Sequence, residues 1–155
     1  MAKKSAGLLV YQEKGGQVDV LLVHPGGPLW AKKDEGTWSI PKGEIEGDEE
    51  PLMVAMREYQ EETGSLISGD FTPLQPLRQP GGKIVFAWAI EGDFDPEKLK
   101  SNTFTMEWPP KSGKKQVFPE VDRAEWFSIE VAKKKILKGQ QRFILQLVDL
   151  LGMKE

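Results

Sequence analysis

Apolar residues along this chain come first in short runs and later at helical spacing. Ser5 to Tyr11 (SAGLLVY) is a compact apolar run that predicts a strand. Glu13-Lys14-Gly15-Gly16 supplies turn residues, and Val18 to His24 (VDVLLVH) reads as a second strand, so the two predict a hairpin. Pro25 to Gly36 is a loop rich in Gly, Pro and Lys, and Thr37 to Ile40 predicts a brief strand ended by Pro41. Phe71 to Arg78 predicts a strand whose prolines place it at an edge. Lys83 to Ile90 is almost continuously apolar, as in a strand covered on both faces. Ser101 to Trp108 alternates like a strand, Pro109 to Val117 reads as a loop, and Arg123 to Phe127 as a last short strand. Helical spacing marks Ile129 to Lys138 and Gln140 to Leu151, the latter with a stripe at Phe143, Ile144, Leu147, Val148 and Leu151. Strands mixed with a few helices imply an α/β sandwich in one domain spanning 1–155.

One further helix carries the chemistry. Pro51 suits a first helical position, where its missing N–H costs nothing, and Gly64 suits a left-handed stop. Between them Leu52, Ala55, Met56 and Tyr59 form the expected buried stripe. Glu58, Glu61 and Glu62 lie beside it, at offsets that share one helix face with Cβ atoms roughly 5–6 Å apart. Three like charges so close destabilise a bare helix, so a positive partner is expected among them. The simplest is a hard divalent cation, Mg2+ or Mn2+, which prefers oxygen ligands and bridges carboxylates to substrate phosphates. Without further context the same cluster reads as a solvated helix face with an i, i+4 pair between Arg57 and Glu61.

The context is the spacing: Gly43, five residues, Glu49, seven residues, Arg57-Glu58, then Glu61-Glu62 and Gly64. This resembles the Nudix box, a glycine-glutamate-arginine pattern closing in REUXEEXGU, where U is a large apolar residue. It matches at every charged and glycine position. Tyr59 and Ser65 depart from the pattern at its two apolar positions. Trp38-Ser39-Ile40-Pro41-Lys42-Gly43 and Glu125-Trp126-Phe127 resemble the flanks of that family. The resemblance implies a Nudix-type α/β/α sandwich with a mixed β-sheet. It implies a hydrolase in which water attacks phosphorus in a diphosphate linkage, and a magnesium site on Glu58, Glu61, Glu62 and the Gly43 carbonyl. Glu49 and Gly64 then serve as framework and Arg57 as a guide for Glu61. The general base lies inside the box at Glu61 or Glu62, or outside it at Glu107 or Glu120.

Other residues are open to two readings. Lys111, Lys114 and Lys115 either contact substrate phosphates or decorate an exposed turn. Lys32, Lys33 and Lys42 pose the same choice. Trp30 either stacks on a base or packs into the protein. Trp38, Trp88 and Trp126 are expected in the core, and His24 at a strand end without a catalytic part.

Composition narrows the function classes. Hydrophobic content of 39% and charged content of 29% are ordinary for a globular chain. A net charge of −3 gives no overall field for gripping nucleic acid, which argues against an RNA-end hydrolase. Cysteine is absent, which excludes disulfides and thiolate chemistry and fits a reducing cytoplasm. No run approaches membrane-spanning length. The expected substrate is a small nucleotide, a nucleoside triphosphate or dinucleoside polyphosphate foremost. The alternatives are ADP-ribose or RNA-end hydrolysis, the latter through a local basic groove, and a non-catalytic domain that senses a nucleotide or binds a protein.

Overall fold

The structure, a computed structural model, describes residues 3–153. Strand β1 (Lys4–Lys14) turns into β2 (Gln17–Pro25) through Gly15 and Gly16, both at positive φ (59° and 82°). That pair of left-handed residues is what a two-residue hairpin of matching twist demands. β1 has β6 (Ile84–Glu91) in parallel along one edge. Its other edge is shared: Tyr11 to Lys14 pair with β2, and Ser5 to Gly7 with β3 (Lys42–Glu44). β2 pairs in turn with β9 (Val121–Ser128), and the short strands β4 (Thr72–Pro73) and β5 (Leu77–Arg78) close the far edge on β6. Among the described residues this makes a seven-stranded mixed sheet.

Helix α1 (Pro51–Thr63) covers one face of the sheet. Its Val54, Ala55 and Tyr59 pack on Ala6, Leu8, Val10, Leu21 and Val23. Helices α2 (Ile129–Lys135) and α3 (Gln141–Leu150) cover the other face, where Ala132, Phe143, Ile144 and Leu147 meet Leu9, Val20, Leu22 and Trp38. Consecutive residues of β1 and β2 therefore point into opposite cores, so both strands are apolar without alternation. A separate hairpin, β7 (Thr103–Glu107) and β8 (Lys115–Pro119), projects from the layer. No helix among the described residues is long and apolar enough to cross a membrane.

Several boundaries differ from the sequence expectation. Thr37 to Ile40 is not a strand; it makes isolated bridges, Ser39 to Val23 and Trp38 to Ile136, and the strand proper lies beyond Pro41. The stretch 71–78 is two short strands, because Pro73 and Pro76 interrupt the ladder. The expected loop from Pro109 contains β8 from Lys115 onward. β6 alternates, with Val85, Ala87 and Ala89 buried and Phe86 and Trp88 half-buried, rather than being enclosed on both faces. The stripe on α1 is turned slightly: Val54 and Thr63 join Ala55 and Tyr59, while Leu52 and Met56 are only half-buried. α2 stops at Lys135, short of Lys138.

Candidate active site

Helix α1 begins on Pro51, and Gly64 ends it at φ 82°, its N–H bonding the Gln60 carbonyl. A Cβ at Gly64 would lie 2.8 Å from the Lys100 backbone, so glycine is required there twice over. With Val54 and Ala55 fixed in the core, the next turns bring Glu58 and Glu62 to the border of the packed face, over β3.

Glu58 lies directly on Gly43. A Cβ built there would sit 2.0 Å from Glu58 Oε1 and 2.1 Å from its carboxyl carbon. Glycine at 43 is what leaves room for that carboxylate. Glu62 lines a cleft of about 250 Å³ together with Lys42, Trp30, Thr37, Ser39 and Glu120. Burial raises the Glu62 carboxyl to about 8, helped by the charge of Glu58 and opposed by Lys42. Burial likewise raises Glu58 to about 7, followed by its contact with Glu61. Glu120 is raised by burial and then by Glu61. Lys42 is pushed below 10.5 by burial and by Lys83. Glu62 and Glu120 in the cleft are thus influenced by Glu58 and Glu61 beside it, with Lys42 the one half-buried lysine of the lining.

Such a donor set suits a hard divalent ion. Among the described residues no three carboxylates enclose a ready-made metal cage. Extra positive charge there would offset the burial, and after it the mutual repulsion, that raise Glu58 and Glu62.

Arg57 is exposed and does not line the cleft. Its guanidinium grips Glu49, and its Nε is 3.9 Å from Glu61 Oε1. Glu49 also accepts from the Glu46 backbone N–H at 3.0 Å, so it ties the loop before α1 to the helix. The two late glutamates part company. Glu107 lies at the hairpin tip and accepts from the Lys111 N–H at 2.8 Å, capping the turn. Lys111, Lys114 and Lys115 are exposed around that tip and none lines the cleft. Glu120 sits at the bend between β8 and β9, held by a backbone relay: its N–H donates to the Asn102 carbonyl and the Asn102 N–H to the Glu61 carbonyl, both at 2.8 Å. Its own carbonyl accepts from the Gly26 N–H at 2.9 Å. Sequence reasoning missed Asn102 and Gly26, whose contributions are made by the backbone.

The far wall is the loop 25–36. Trp30 is exposed at its tip, with the Lys33 ammonium 4.9 Å from the ring centre, and Lys32 is exposed beside it. The wall is fastened from below by His24, which is fully buried. Its Nε2–H donates to the Lys33 carbonyl at 2.7 Å and its Nδ1 lies 2.7 Å from Asp122 Oδ1. Asp34 adds bonds to the Trp38 indole at 2.8 Å and to Lys135. His24 therefore has a positioning part that its place at a strand end concealed. Trp38 is a core residue, while Trp88 and Trp126 are half-buried against the α1-side core.

A sequence model of the NUDIX domain matches residues 1–147, nearly the whole chain. The chain belongs to the Nudix family. With the family goes the reaction class, a hydrolase acting on pyrophosphate bonds, and a general use of divalent metal ions. Solved structures share the fold at low identity. The NUDIX domain of Shewanella oneidensis NrtR, complexed with ADP ribose, is 16% identical with a TM-score of 0.68, over 97% of this chain and 89% of that one. A C. elegans Ap4A hydrolase is 21% identical with a TM-score of 0.63, over 97% and 98%. The C-terminal domain of mouse MUTYH, in complex with human PCNA, is 16% identical with a TM-score of 0.62, over 99% and 92%. These likenesses establish the Nudix architecture and leave the substrate to the site itself.

Proposed function

We propose that this Nudix domain is a magnesium-dependent pyrophosphohydrolase acting on a nucleoside diphosphate linked to another group, a nucleoside triphosphate or dinucleoside polyphosphate foremost. The carrying observation is that Glu62 and Glu120 share one cleft with Lys42 and Trp30, while Glu58 and Glu61 act electrostatically on them. Glu58, Glu61, Glu62 and the Gly43 carbonyl would hold the ions. When bound, divalent ions neutralise phosphate oxygens and acidify water. Glu120, in place of Glu107, takes the proton as a water oxygen bonds to phosphorus and the bridging P–O bond breaks. Lys42 meets phosphate charge, Trp30 borders the nucleoside, and the Arg57–Glu49 pair holds the loop that carries Gly43.

The test is a nucleotide panel with magnesium, repeated with Glu61→Gln and Glu62→Gln. Each substitution is expected to cut kcat/KM by roughly a hundredfold or more, the scale of losing one electrostatic partner of the transition state. Undiminished turnover in either variant rejects the metal assignment.

A further inference from the structure

Trp30 borders two cavities. One is the carboxylate cleft. The other is a slot of about 160 Å³ between the tip of the 25–36 loop and the β7–β8 hairpin, lined by Gly26, Gly27, Leu29, Trp30, Phe104 and Met106. Phe104 and Met106 reach it because they share one face of β7, at alternate positions. The slot is built rather than left over. Gly27 has φ 94°, and a Cβ there would lie 2.9 Å from the Phe104 ring, so that aromatic floor needs the glycine. The slot also adjoins the chemistry through the backbone, since the Gly26 N–H holds the Glu120 carbonyl.

The lining has no carboxylate, ammonium, amide or hydroxyl side chain; the Trp30 indole N–H is its only polar side-chain group. Of the backbone groups around it, the Gly26 N–H donates to the Glu120 carbonyl at 2.9 Å and the Gly27 carbonyl accepts from the Trp30 backbone N–H at 3.4 Å. A cavity of this size takes a ring system and not a whole nucleotide, for which pockets run to about 300 Å³ and above. We infer that this slot seats the nucleobase of the substrate by apolar contact alone, so that the enzyme accepts all four common bases. The inference rests on the reading of the neighbouring cleft as the diphosphate site and adds to it the basis of substrate choice.

Apolar pockets discriminate weakly, by roughly 10- to 200-fold, whereas a site that hydrogen-bonds its substrate rejects the wrong one by about 10⁴ or more. The experiment measures kcat/KM for the adenine, guanine, cytosine and uracil triphosphates with magnesium, and binding of the four nucleoside diphosphates by calorimetry. Met106→Ala and Leu29→Ala are measured in parallel. The expected result is a spread of about tenfold or less among bases. Each variant should also raise KM and Kd roughly fivefold for every base, with kcat little changed, as loss of a few contacting methylenes dictates. A single base favoured by about 10⁴, or KM and Kd indifferent to both substitutions, overturns the slot and leaves the proposed hydrolysis standing. Met106-dependent binding with no hydrolysis of any nucleotide overturns the hydrolysis and leaves the slot standing. Neither binding nor hydrolysis overturns both.

Discussion

Removing metal should make this protein less stable at pH 8 than at pH 5, the reverse of ordinary acid denaturation. Glu62 and Glu58 are raised from 4.5 to about 8 and about 7 in the fold. Between those values the folded state retains protons that the unfolded chain has already released. Stability therefore falls as pH rises through that window. At about 1.36 kcal/mol per tenfold change in proton affinity, the Glu62 shift alone amounts to roughly 5 kcal/mol if nothing relaxes. Side-chain movement and water entry bring the net cost to about 2–3 kcal/mol. For a chain of this length that is a drop in Tm of roughly 5–10 °C. Glu49 and Asp34 do not mask it, because both are lowered by their cationic partners and lose their contribution only below the usual carboxylate range. The assay is thermal unfolding in chelator across this range. Adding magnesium at pH 8 should restore the loss, and Glu62→Gln should flatten more than half of the slope. A chelated protein as stable at pH 8 as at pH 5 would refute the reasoning.

Three further outcomes can be checked. Gly43→Ala puts a methyl 2.0 Å from Glu58 Oε1 and should lower kcat/KM by about a hundredfold in steady-state assays, the cost of displacing a reacting group by an ångström. Gly26→Ala puts a methyl 2.0 Å from the Pro119 carbonyl and so shifts Glu120; in a double-mutant cycle its effect on kcat should vanish in the Glu120→Gln background, and equal losses in both backgrounds would count against it. Arg57→Ala frees Glu49 from the helix and should cost no more than about 1 kcal/mol in denaturant unfolding, while raising the magnesium concentration needed for half-maximal rate.

Helix α1 was legible to the residue because both its stops are covalent facts: proline at the start and a glycine that alone tolerates the left-handed turn. β3 was not, because its partner is the opening of β1, some thirty-five residues away, and no local period announces such pairing. β8 was missed for a related reason. It is mostly exposed and polar at Lys115 and Gln116, and is a strand only through its ladder to β7. The carboxylate turn could be read from spacing, yet which of Glu107 and Glu120 lies near it could not. Both occupy the same late stretch of sequence. Only the hairpin turns one to its tip and returns the other to α1.

The link from the Glu120 N–H to the Asn102 carbonyl closes the stem on which β7 and β8 stand. Everything between those two residues is a cassette clipped at its base. A graft that changes its length and side chains should leave the Glu120 N–H to Asn102 bond in place, and with it the base of the proposed mechanism. On the proposed reading, the hairpin is the part to rebuild when a different substrate is wanted from an unchanged reaction.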